Sequence, residues 1–157
     1  MTREEKFMQE AIELSLRGID QNEGGPFGCV IVKDDVVVGR GNNQVTSTND
    51  PTAHAEVVAI RDACKNLNSF QLDGCEVYTS CEPCPMCLGA IYWARPKIIY
   101  YANNREDAAE AGFDDSMIYE QMAANIDARK IPIKRLGRDE ALKVFIAWKA
   151  KSDKTAY

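Results

Sequence analysis

The single histidine of this 157-residue chain, His54, lies in the run Pro51-Thr52-Ala53-His54-Ala55-Glu56. Further along comes Glu82-Pro83-Cys84-Pro85-Met86-Cys87. One imidazole, two thiols three residues apart and one carboxylate are the parts of a metal site with an acid–base group beside it. A structural zinc site is closed by four protein ligands, whereas a catalytic one uses three and keeps a position open for water. The count of three points to a hydrolytic enzyme carrying one Zn²⁺ per subunit. Two thiolates cancel the ion's charge and a neutral His54 adds none. Zinc lowers the pKa of a water in its open position to about 7. Glu56 is the residue to take that proton and hand it to substrate. His54, Cys84 and Cys87 are therefore the metal candidates and Glu56 the catalytic one.

Each fragment alone has a plainer reading. Cys-x-x-Cys is also a redox pair or half of a structural zinc site. His-x-Glu on a helix is most often two surface residues. A structural zinc needs a fourth ligand, for which Cys81 and Cys29 are candidates, Cys81 being three residues before Cys84. The joint pattern, with Pro51 and Pro83 preceding the two groups, is the signature of zinc deaminases.

The surrounding elements must bring these groups together. Helix and strand periods alternate along the chain, which predicts a layered α/β domain. Phe7, Ala11, Leu14 and Gly18 recur at helical spacing within Arg3 to Ile19. Phe27 to Lys33 and Val36 to Gly41 read as a hairpin about the Asp34-Asp35 turn. A helix is expected from Asn49-Asp50-Pro51 to about Leu67, with Asp50 as its cap and Pro51 in its first position. A strand over Glu76 to Thr79 leads to a helix from near Cys84, which Arg95-Pro96 ends. Lys97 to Tyr101 is a strand, Ala108 to Gly112 a small-residue connection and Ser116 to Ala123 a helix. Ile131 to Leu136 reads as a short last strand and Asp139 to Lys151 as the closing helix. Both metal-binding runs fall where a helix begins, and helix N-termini stabilise thiolate. His54 and Glu56 are about 200° apart on an ideal helix, so they converge on one ion only if side chains of a first turn lean back toward the N-terminus.

Bulk composition narrows the classes. The chain has the length of one domain, 45% of its residues are apolar, and 19 basic against 24 acidic residues give a net charge of −5. Such a balance opposes a phosphate-backbone interface, so no nucleic-acid partner is expected. No run is long enough to span a membrane. The charged N-terminus has no signal-peptide character, so a reducing cytoplasm is expected. Cys29, Cys64 and Cys75 read as small buried hydrophobes.

Four segments carry a resemblance: Gly24-Gly25-Pro26-Phe27-Gly28, Asn49 through Glu56, Tyr78-Thr79-Ser80-Cys81-Glu82-Pro83-Cys84-Pro85-Met86-Cys87 and Ala111-Gly112-Phe113-Asp114-Asp115. Together they resemble the cytidine-deaminase-like superfamily and, within it, the small bacterial zinc-dependent guanine deaminases. The resemblance implies a single domain over residues 1–157, a three-layer α/β/α sandwich with a central five-stranded mixed sheet. It implies hydrolysis of guanine to xanthine and ammonia in purine metabolism, with attack at C2. By position it assigns Asn43 and Asp115 to polar contacts with the base, with Asp114 as the alternative to Asp115, and Phe27 and Trp93 to pocket walls. It also implies a homodimer whose C-terminal segment, about residues 138–157, is exchanged, so that Tyr157 closes the partner's pocket. Guanosine or another nucleobase or nucleoside of the same superfamily is the nearest alternative substrate.

These substrate contacts have competing readings. Phe27 equally begins a core strand, and Trp93 equally packs in a core. Asn43 equally serves a turn. Asp114 and Asp115 equally cap the helix near Ser116, and Tyr157 equally ends a frayed tail. Arg61 and Arg105 read as solvated.

Overall fold

The computed structural model describes residues 1–157 and falls into two compact units, Met1–Asp115 and Ser116–Tyr157. The first begins with helix α1, Arg3–Asp20. Thr2 and Glu5 form a reciprocal capping box at its start, which satisfies two backbone N–H groups the helix leaves open. Strands β1 (Gly28–Lys33) and β2 (Val36–Asn42) pair as an antiparallel hairpin. Asp34 and Asp35 both take positive φ, the backbone form that matches the twist of a two-residue hairpin.

Strand β3 (Glu76–Cys81) pairs antiparallel with β1, and β4 (Ile98–Asn103) pairs parallel with β3. The sheet order is β2-β1-β3-β4. Between these strands lie the short α2 (Val45–Thr48), α3 (Ala55–Leu67) and α4 (Pro85–Ala94), and α5 (Arg105–Glu110) follows β4. No helix is long and apolar enough to cross a membrane.

Strand side chains alternate between two cores. Val30, Val32 and Tyr78 pack with Ala11 and Leu14 of α1. Cys29, Ile31 and Val77 pack with Ala55, Ala59 and Ala63 of α3 and Ile91 and Ala94 of α4. Helices thus cover both faces. Alanines at every fourth position let α3 lie close on β2. A Cβ on Gly41 would come within 2.2 Å of the Ala55 carbonyl, so glycine there fixes how near the start of α3 approaches the sheet.

The second unit holds α6 (Ser116–Ala123), a 3₁₀ turn (Ile126–Ala128) and α7 (Arg138–Ala150).

Three expectations are corrected. The sheet has four strands, not five, because residues 131–136 join no ladder. Pro132 has no N–H to donate there. Helix α3 starts at Ala55 rather than at Pro51. The Asp50 carboxylate instead accepts from the backbone N–H and hydroxyl of Thr52 at 2.8 and 2.7 Å, a local turn that competes with helix. Helix α5 runs through Ala108 to Glu110, the first part of the connection expected over Ala108 to Gly112, because Asn104 and Asp107 make a capping box at its start.

Candidate active site

His54 and Cys84 are the N-cap residues of α3 and α4, and neither side chain caps its own helix. Both donor groups are therefore left to face another ligand. The Nδ1 atom of His54 lies 3.5 Å from the Sγ of Cys84 and 3.5 Å from the Sγ of Cys87. All three ligand atoms lie within 4.8 Å of one another. Tetrahedral zinc with bonds of about 2.0 Å to nitrogen and 2.3 Å to sulfur separates them by about 3.5 Å. Geometry and donor chemistry both fit one zinc ion. No other group of His, Cys, Asp or Glu converges in this way.

The thiols divide one proton between them. The hydrogen bond that Cys87 donates pushes Cys84 down to about 4, and the same bond pushes Cys87 up. His54 is raised, chiefly by its hydrogen bond to Cys84. A cation held among these atoms would take the place of that proton. Cys81 stands outside the group, with its thiol directed at the Asn104 carbonyl 3.6 Å away.

Glu56, the second residue of α3, is 6% exposed. Burial raises its carboxyl above the usual range. Because His54 is the cap and not a helical residue, the 200° separation does not apply. The extended backbone of His54 (ψ 155°) lets both side chains turn to the same side.

Glu56, His54 and Cys84 line a cavity of about 380 Å³, within the range of small-molecule sites. Asn43, Phe27 and Asp115 line it as well. Asn43 is buried, and its Oδ1 accepts from the backbone N–H groups of Gly25 and Val45, each at 3.1 Å. With the oxygen twice engaged, Asn43 offers its amide N–H donors to a ligand. Phe27 meets Phe113 edge to face at 4.9 Å and also packs on the core, so one ring both lines the cavity and joins the core.

Other candidates are placed elsewhere. Trp93 is 64% exposed on α4 and does not line the cavity. Asp114 is exposed and absent from the lining. Tyr157 belongs to the second unit and is exposed.

Sequence reasoning missed Phe113 and Arg105, which both line the cavity. Arg105 is not a solvated residue: its Nε lies 4.0 Å from the Asp115 carboxylate. One signal was available. Arg105 follows the capping Asn104, and a cation in a first helical turn opposes the helix dipole, so its position calls for another use.

A helix-flanked mixed sheet presenting one histidine, two cysteines and a buried glutamate defines a class of zinc hydrolase. Residues 1–103 match the family model of the cytidine and deoxycytidylate deaminase zinc-binding region, and the chain belongs to that family. Over 153 residues it is 54% identical to the guanine deaminase of Bacillus subtilis (strain 168), covering 98% of both chains. The crystal structure of Bacillus subtilis guanine deaminase matches with a TM-score of 0.95 over 98% of each chain. The tRNA-specific adenosine deaminase of Aquifex aeolicus (strain VF5) is 39% identical over 103 residues, 65% of this chain and 68% of that one.

Proposed function

We propose that this chain hydrolyses guanine to xanthine and ammonia. The observation that carries this reading is the cavity lined by buried Glu56, by Asn43 and Asp115, and by His54 and Cys84, which converge with Cys87. Full-length similarity to the Bacillus subtilis guanine deaminase supports the choice of substrate.

His54, Cys84 and Cys87 would hold the zinc ion. When bound, zinc supplies Lewis acidity that lets water lose a proton near neutral pH. Glu56 accepts that proton as water adds to C2 of the purine, then delivers protons to the ring nitrogen and to the departing amino group. One water enters and one ammonia leaves. Asn43 donates to an acceptor on the base, and Asp115 accepts from its N–H groups. Phe27 and Phe113 supply apolar walls for a flat ring.

The assembly is a cytoplasmic homodimer that exchanges the C-terminal segment of about residues 138–157. In support, α7 buries none of its residues, and Val144, Phe145, Ile146 and Trp148 remain exposed. An apolar surface of that kind marks an interface.

The test is ammonia release from guanine, guanosine, adenine and cytosine by metal-analysed protein, with Glu56→Ala as control. Release from guanine well above the control is expected. No excess over the control overturns the proposal, and turnover of guanosine alone moves it to the nucleoside.

A further inference from the structure

Arg105 occupies the first position of α5, with its backbone N–H donating to the Glu82 carboxylate at 3.1 Å. The capping box of Asn104 and Asp107 fixes the same turn. Its side chain, two-thirds buried, reaches into the wall of the cavity. Of the residues lining that cavity it is the only lysine or arginine, against the carboxylates of Glu56, Glu82 and Asp115. Asp115 is the carboxylate it approaches, at 4.0 Å, and Asp115 is itself only 20% exposed.

We propose that Arg105 is a positioning residue for purine recognition, holding the Asp115 carboxylate charged and aimed into the cavity. The assignment rests on the reading of the chain as a guanine deaminase. An ionised carboxylate is an acceptor only, so it selects a base edge that presents N–H donors and rejects one that presents lone pairs. Burial pushes the Asp115 carboxyl up from its ordinary range, and the Arg105 charge 4.0 Å away opposes that rise. Glu82 and the capping box place residue 105 before any ligand arrives, so no reorganisation is needed on binding. The edge-to-face pair of Phe27 and Phe113 also lines the cavity. Guanine then loses affinity when Arg105 is removed, although Arg105 need not touch the base.

The experiment is a double-variant cycle of Arg105→Gln and Asp115→Asn on the zinc-loaded enzyme, reading KM and kcat for guanine together with zinc content. Arg105→Gln is expected to raise KM about tenfold with a smaller change in kcat, as for a lost, partly desolvated ion pair. Zinc content stays at wild-type level, and Arg105→Lys recovers most of the loss. The double variant is expected to be no worse than Asp115→Asn alone, because both changes remove one interaction. A KM within about twofold of wild type in Arg105→Gln, or additive losses in the double variant, overturns the assignment. If Arg105→Gln does not fold, Arg105→Met, which keeps the aliphatic stem, takes its place with the same outcomes. Wild-type protein that binds zinc but does not act on guanine overturns the proposed function as well, whereas normal wild-type turnover with additive variants overturns the role of Arg105 alone.

Discussion

The side-chain oxygen of Asn43 accepts the backbone N–H of Gly25 at 3.1 Å. A second acceptance from Val45 fixes the amide's orientation. A Cβ on Gly24 would fall 2.2 Å from that oxygen, so the loop and the amide are fitted to one another. Asn43→Asp keeps the acceptor but removes the donor, and it adds a charge in a buried place. The expected result is a fall in kcat/KM for guanine of about a hundredfold, from a lost hydrogen bond and an unpaired buried group. Steady-state kinetics with a thermal melt separate this from unfolding, and unchanged kcat/KM would remove Asn43 from the site.

Glu56 carries the proton transfers in the proposed mechanism. Glu56→Gln is isosteric but cannot accept a proton, so kcat is expected to drop by about 10²–10⁴. Zinc content should remain that of wild type, since Glu56 is not among the converging ligand atoms. Metal analysis beside ammonia release checks both halves, and loss of zinc with activity would reassign Glu56 to a ligand role.

Metal removal distinguishes Cys81 from its neighbours. Cys81→Ser is expected to keep one zinc and most of the activity, because its thiol faces the Asn104 carbonyl instead of the ligand group. Cys84→Ser and Cys87→Ser are each expected to lose the metal, and chelation of wild type to abolish turnover and lower Tm. Zinc loss in Cys81→Ser would instead indicate a four-ligand structural site.

Far from the cavity, Arg3 donates to the Glu76 carboxylate at 2.8 Å, and the Tyr78 hydroxyl donates to it at 2.7 Å. The Arg3 bond, followed by that of Tyr78, holds the Glu76 carboxyl below the usual range. A carboxyl lowered by folding stabilises the native state above its unfolded pKa and loses that contribution as pH falls through the folded value. Glu76→Gln is therefore expected to cost about 1 kcal/mol at neutral pH, a few degrees in Tm, after allowance for solvent around Arg3. The difference from wild type should shrink below about pH 4. Melts of both proteins across pH 3–8 check this, and a constant difference would reject the ionic contribution.

The proposed exchange of the C-terminal segment has its own readout. Removing Ala156 and Tyr157 is expected to lower guanine turnover about tenfold while leaving zinc bound, since an aromatic contact to a substrate is worth about 1 kcal/mol or more. Sedimentation of the intact chain should give a dimer. Unchanged turnover after the deletion would take Tyr157 out of the site.

The chemistry was legible in the chain because metal ligation depends on residue type and short spacing. His54, Cys84, Cys87 and Glu56 needed no tertiary knowledge to be singled out, and α1, the hairpin and α6 followed from local periodicity and turn residues. The start of α3 was misread because Asp50 prefers its own turn with Thr52, a contest between two local hydrogen-bonding patterns that spacing does not decide. The expected strand at 131–136 failed because a strand exists only where a neighbour supplies its ladder. Arg105 escaped notice because a cation reads as solvated until a fold sets it 4.0 Å from a half-buried carboxylate. Sequence alone thus determined which atoms can bind metal and move protons, since those are properties of side chains. Only the tertiary structure decided which polar groups share a cavity, since that depends on distances between residues far apart in the chain.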